Sequence, residues 1–163
     1  MRTSLVLPVF VILLASCTPP YRMVYSSGFS FARYNFLVVS KPDEKTSTTL
    51  YGLDIEFANM MNRYDMKVIG DKECQNLSPE QKNQTLIARM SVIASSKKEN
   101  LISISFDDYI SGRTVASITA KAKGDMFDAS DRTKAFESVS DALLQAIQRD
   151  KGLTVTDAKP TKK

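Results

Sequence analysis

Residues 85–95 read Thr-Leu-Ile-Ala-Arg-Met-Ser-Val-Ile-Ala-Ser. Leu86, Ala88, Met90 and Val92 fall on one side of an extended chain, and Ile87, Arg89, Ser91 and Ile93 on the other. A period of two is that of a strand, so this stretch predicts one. Downstream, Leu101 to Phe106 alternates less cleanly. From Arg113 to Lys123, Val115 and Ser117 oppose Thr114, Ala116, Ile118 and Ala120. The links, Ser95 to Asn100 and Asp107 to Gly112, have the composition of turns. Together these segments predict a three-stranded antiparallel meander.

Upstream the period is helical. Leu50, Leu53, Phe57, Met60, Met61 and Tyr64 form one stripe, with Thr48 or Thr49 as the expected N-cap and an end near Arg63. Before it, Tyr34 to Val39 is a β-rich, nearly all-apolar run suited to a strand buried on both faces. After it, Lys67-Val68-Ile69 is a short second strand, and strand-helix-strand at this spacing implies parallel pairing. Gly70 to Gln84 reads as a polar loop. A final helix is expected from about Ala129 to Arg149, capped by Asp128 and buried through Phe136, Val139, Leu143, Ala146 and Ile147. The order is β-α-β-β-β-β-α. The expected class is α/β in the broad sense (α+β): one mixed sheet with two helices packed mainly on one face.

Composition bounds the chemistry. The chain has 163 residues, 43% hydrophobic and 25% charged, which suits one folded domain. It has no histidine, which removes Ser-His-Asp and Cys-His catalysis and every His-containing zinc site. The net charge is +4, but basic residues are scattered, with no stripe for nucleic acid and no Gly-rich phosphate loop. Asp107 and Asp108 are paired acids at the edge of a turn, expected to be a solvated hairpin rather than an acid/base pair. The spacing of Asp125, Asp128 and Asp131 fails the pattern of a calcium loop. Ser95-Ser96-Lys97-Lys98 matches Ser-x-x-Lys formally, but its companion motifs are absent. No catalytic residue, metal site or cofactor is therefore expected, and the chain reads as a non-enzyme.

The amino terminus carries an address. Arg2 precedes an apolar stretch, Leu5 to Leu14, shorter than the about 20 residues that span a bilayer. It ends Leu14-Ala15-Ser16-Cys17, which resembles the bacterial lipobox with Ser16 in the small-residue position. The resemblance implies a signal peptide over residues 1–16 and acyl chains, including a palmitate-type chain, on Cys17. Several acyl chains make a stable anchor where one does not. Thr18, in place of the Asp that retains such lipoproteins at the inner membrane, implies the outer membrane, facing the periplasm. With Cys17 acylated, Cys74 has no partner for a disulfide within the chain; a buried small hydrophobe, a dimerising thiol and a catalytic thiolate are its three readings, the last without a histidine to activate it.

Residues 17–32 read as a lipidated tether that, fully drawn out, reaches roughly 50 Å. It is rich in aromatics, and Tyr21, Tyr25, Phe29 and Phe31 are candidate partner contacts, unless they pack back on the domain as an edge segment. Residues 33–152 form the single domain and 153–163 a disordered basic tail.

Within the domain, the strand Tyr34 to Val39, the following helix, Met66-Lys67-Val68-Ile69, Ile104 to Asp107, the Ser111-Gly112 turn and Val115-Ala116-Ser117 follow a recurring plan. That plan resembles small envelope lipoproteins of the curli-secretion, penicillin-binding-protein-activator and TolB amino-terminal-domain type. The resemblance implies a non-enzymatic binding module: a periplasmic adaptor or assembly factor held to the membrane through Cys17 and binding an envelope protein. The alternative is a small-ligand or glycan-binding lipoprotein with a pocket between helix and sheet.

Overall fold

The computed structural model describes residues 21–41, 52–95, 99–123 and 129–153. The lipobox and Cys17, Thr48, Thr49, Asp128 and the tail beyond Leu153 lie outside them, and the helix expected to be capped by Thr48 or Thr49 instead starts at Leu53 with Gly52, at a φ of 83°, in the N-cap position.

Six strands form one sheet: β1 (Tyr21–Tyr25), β2 (Phe36–Val39), β3 (Lys67–Ile69), β4 (Thr85–Ser95), β5 (Glu99–Asp108) and β6 (Thr114–Lys123). Their order is β1-β6-β5-β4-β2-β3. The pairs β1–β6, β6–β5 and β5–β4 are antiparallel, and β4–β2 and β2–β3 are parallel. The sheet is therefore mixed, and the meander and the parallel crossover both stand where the residue pattern puts them. Two helices pack on one face: α1 (Leu53–Arg63) and the 23-residue α4 (Ala129–Lys151).

The main core lies between that face and those helices. From α1 it takes Leu53, Phe57, Met60 and Met61, spaced by 4, 7 and 8 positions as a helical stripe requires. From α4 it takes Ala135, Phe136, Val139, Ala142, Leu143, Ala146 and Ile147. The sheet supplies Leu86, Ala88 and Met90 from β4, Ile102, Ile104 and Phe106 from β5, and Ala116, Ile118 and Ala120 from β6. Small alanines on β6 sit under α4 and let the helix approach the sheet closely.

The expected polar loop at 70–84 contains two short helices instead, α2 (Asp71–Gln75) and α3 (Pro79–Lys82). Each start satisfies its orphan N–H groups locally. Ser78 Oγ accepts from Gln81 N–H (3.3 Å) while Gln81 Oε1 accepts from Ser78 N–H (3.0 Å), with Pro79 in the first turn. Cys74 on α2 joins Val38 and Ile69 in a second small core on the opposite sheet face, edged by Phe36, Leu77, Ile87 and Tyr109. Buried there, Cys74 packs as a small hydrophobe.

The largest departure lies at the amino-terminal side. The stretch expected as a tether over 17–32 begins a strand at Tyr21, and Phe31–Arg33 is a turn of 3-10 helix capped by the Ser30 hydroxyl, which accepts from Ala32 N–H (3.2 Å). Tyr21, Met23 and Tyr25 alternate with Arg22 and Val24, so the period-two pattern is present but short. From Tyr21 onward the expected tether is part of the fold, and residues 17–20 lie outside the described residues.

Candidate functional site

The aromatic strip is the site that the residue pattern singles out. Its rings form a connected series rather than a row of exposed contacts. Tyr25 stacks on Phe29 (centroids 5.7 Å, 16° between planes). Phe29 meets Phe31 edge-on at 4.8 Å, and Phe31 meets Phe106 edge-on at 5.4 Å. Phe106 lies 6.4 Å from Phe57 of α1. Such pairs add about 0.5–1.5 kcal/mol each beyond the area they bury. The series runs from the surface, where Tyr25 is 36% exposed, to Phe31, which is 0% exposed. Phe31 is therefore a core residue and not a surface contact. Tyr21 and Phe29 are partly buried against the main core. Of the four candidate contacts, Tyr25 alone is exposed, and beside it on the edge strand Val24 is 47% exposed.

The end of α4 locks this segment in place. Asp150 Oδ2 accepts from Phe31 N–H (3.0 Å), and Arg149 reaches Asp150 Oδ1 (3.2 Å). Burial pushes the Tyr25 phenol up, against the hydrogen bond and charge of Arg149, which pull it down. The result is a tyrosine that stays neutral throughout the physiological range.

β1 is an edge strand: in the sheet order it pairs with β6 on one side and with no strand on the other, among the described residues. Ser26 N–H donates to Val115 O (2.8 Å). In an antiparallel ladder hydrogen-bonded and non-bonded pairs alternate. Val24 and Arg22 therefore point their backbone groups at β6, and Met23 and Tyr25 point theirs at the free edge.

Next to this edge lies a cleft of about 320 Å³, formed by Ser26 to Ser30, Arg33, Tyr34, Asp108, Ser111 and Val115. Gly28 turns the loop with a φ of 76°, a conformation that side chains rarely adopt. Asp108 accepts from Ser111 N–H (2.8 Å), from Ser111 Oγ (2.8 Å) and from the Tyr34 hydroxyl (3.1 Å). Desolvation works to raise its carboxyl, but the hydrogen bonds from Ser111 and Tyr34 and the charge of Arg33 outweigh it, holding the group below the usual carboxylate range. Tyr34 is pushed up by burial and by donating to that carboxylate. The Arg33 guanidinium sits over the Tyr34 ring at 5.8 Å. This is a polar cleft with a fixed negative charge, a positive charge and several hydroxyls, suited to holding a small polar ligand.

Asp107 departs from the expected solvated hairpin. It is 1% exposed. Its Oδ1 accepts from the Thr114 hydroxyl (2.7 Å), and its Oδ2 lies 2.8 Å from Arg89 Nη2. The Oδ2–Arg89 contact is an ion pair whose direction falls short of a good hydrogen bond. Strand alternation sends Asp107 and Asp108 to different partners, so the two carboxylates do not converge. Among the described residues, no group of three or more Asp, Glu, Cys or His side chains is placed to hold a metal ion. No described helix is long and apolar enough to cross a membrane. Leu14, Ala15, Ser16 and Cys17 lie outside the described residues.

No protein-family model matches the chain, and comparison with curated proteins gives no match. Two solved structures are similar in outline. One is a single-substitution variant of the PelC dodecamer from Paraburkholderia phytofirmans, 19% identical, covering 77% of this chain and 99% of that one with a TM-score of 0.47. The other is the PelC dodecamer from the same organism in another crystal form, 18% identical, covering 76% and 96% with a TM-score of 0.46. A likeness of that degree assigns neither a function nor an assembly.

Proposed function

We propose that the chain is a non-enzymatic, lipid-anchored adaptor of the bacterial envelope. Acyl chains on Cys17 hold it to the outer membrane on the periplasmic side, and the α/β domain binds an extended segment of an envelope protein. The observation that carries the binding half of this reading is the free edge of β1. Sheet edges are normally blunted by charge, proline or a bulge, because unpaired backbone groups invite another strand. β1 carries one charge, Arg22, no proline, and exposed Val24 and Tyr25. Strand addition there would draw affinity from main-chain hydrogen bonds and selectivity from the side chains flanking the edge.

Removing the whole segment 21–31 is a poor test, because it takes a strand from the sheet and Phe31 from the core. Tyr25→Pro is sharper. It deletes one outward N–H and no bond to β6. Crosslinking in intact cells followed by affinity capture should recover a partner with the native chain and about tenfold less with Tyr25→Pro than with Tyr25→Ala, which loses the same ring stack on Phe29 but keeps the outward N–H. Equal recovery would remove the edge from the proposal. Mass spectrometry that found no acyl group on Cys17 would remove the anchor.

A second reading rests on the serine-lined cleft beside Asp108 and Arg33: a small hydroxylated ligand or glycan unit held there. It expects ligand-dependent thermal stabilisation that Arg33→Ala abolishes. The edge-strand reading expects Arg33→Ala to leave partner capture unchanged.

A further inference from the structure

The carboxyl ends of α1 and α4 lie together, where Lys151 Nζ donates to the Asp65 carbonyl (3.0 Å). Between the two helices lies a groove of about 340 Å³. Met60, Phe136 and Leu144 give it an apolar floor, and the exposed acids Glu56, Glu137 and Asp141 stand around it. Arg63 is the basic residue among those lining it, and its Nε is turned to the Asn59 carbonyl (3.4 Å). Among the described residues none of the three acids has an ion-pair or hydrogen-bond partner; Lys134, one turn before Glu137, meets Asp131 instead (3.6 Å). Glu137 and Asp141 are one turn apart on the same helix, a like-charge spacing that costs stability unless a cation lies between them. Ser140 lines the same groove, is 7% exposed, and its Oγ has no hydrogen-bond partner among the described residues. A buried hydroxyl normally has one. The groove therefore wants cations at its rim and a polar partner within.

We propose that the groove is occupied by the chain's own segment 154–163, with Lys159, Lys162 and Lys163 set against Glu56, Glu137 and Asp141. The inference goes beyond the adaptor reading and does not depend on an acyl group at Cys17. Four observations favour this occupant. The first is charge: the groove holds three carboxylates against one guanidinium, and the segment three lysines against one acid, Asp157. The second is chemistry. Lysine methylenes lie along apolar surface while the ammonium reaches the acids at its rim, and three N–H donors serve more than one acceptor. The third is the exit of the chain. Gly152, at a φ of 67°, and the Leu153 N–H donated to the Gln148 carbonyl (3.0 Å) end α4 by turning the backbone off the helical path. The fourth is reach. Asp141 and Glu137 stand 12 and 16 residues before Leu153, about 18 and 24 Å along the helix. Lys159 and Lys162 stand six and nine residues after it, up to about 20 and 30 Å of extended chain. Exposed ion pairs are weak one by one, and a covalently attached segment meets the groove at high effective concentration.

The test is zero-length carbodiimide coupling of the full-length chain, isolated from cells that express it, with the joined peptides read by mass spectrometry. An equal mixture of ¹⁴N and ¹⁵N chains separates coupling within a chain from coupling between copies. Lys159, Lys162 and Lys163 should couple to Glu137, Asp141 and Glu56 within one chain. The yield should exceed that to Asp65, an exposed acid at the end where the segment begins, by about threefold or more. It should fall by about threefold or more at about 1 M salt, where the screening length drops to about 3 Å. Glu137→Lys/Asp141→Lys, at exposed positions, should lower coupling of the segment to Glu56 by about tenfold. Adding Lys159→Glu/Lys162→Glu to that variant should restore coupling, now between Lys at 137 or 141 and Glu at 159 or 162. No coupling, or equal coupling to Asp65 and to the groove acids, overturns the proposal. Coupling that ignores salt and charge reversal overturns it as well. Joined peptides only between differently labelled chains assign the groove to a second copy, and groove acids coupled in intact cells to another polypeptide assign it to a basic partner; either result overturns occupancy by the chain's own segment.

Discussion

Asp107 and Asp108 are identical in type and adjacent in sequence, yet they do different work. Asp107 is enclosed with Thr114 and Arg89, and Asp108 gathers three donors at the mouth of a cleft. Which acid is enclosed depends on the register between β5 and β6, which shifts at Phe106/Asp107. A slip of one residue would exchange their faces. That is why the residue pattern does not tell the pair apart. Arg89→Ala should strip the buried carboxylate of its countercharge and cost about 1–2 kcal/mol in chemical denaturation, the arginine being largely in solvent. Arg22→Ala should cost almost nothing. For Asp108 the folded carboxyl lies below its ordinary value, so its stabilising effect is present at neutral pH and is lost as pH falls through the folded value. Asp108→Asn should therefore flatten the acid limb of the stability curve, below about pH 4, and change little above it. Phe31→Ala, at a position whose sequence context suggests a partner contact, should cost about 3–5 kcal/mol, as expected for an aromatic in the core.

At the scale of elements, legibility follows the length of the pattern. β4 and α4 have enough residues for their periods of 2 and 3.6 to be unmistakable, and Lys67–Ile69 is found through its place after a helix. β1 shows only two and a half repeats of alternation, next to prolines, and aromatics there suit a loose strip as well as a strand. α2 and α3 are too short for any period; their visible signals are the Ser78-Pro79 start and Gln81 three residues on. Ser78→Ala should remove that cap and cost about 1 kcal/mol, read by denaturation of the whole domain. Hydrogen exchange should rank the amides of β5, flanked on both sides, as slowest, and the outward amides of Met23 and Tyr25 among the fastest, unless a partner strand protects them.

For the whole molecule, the fold class is legible because one meander and two helical stripes leave few ways to bury their apolar faces. The sites are less so. The cleft joins Ser26–Ser30 to Asp108 and Ser111, about 80 positions apart in the chain, so it does not exist as a sequence motif. The position of β1 has a mechanical side. Any pull transmitted through the residues before Tyr21 loads the outermost strand first, and its bonds to β6 resist together if drawn along the strand but one after another if lifted sideways. Under a sideways tug, β1 would peel away while β4, β5 and β6 stayed paired, so strain arriving from the amino-terminal side would be shed at the rim of the sheet before it reached the packed interior.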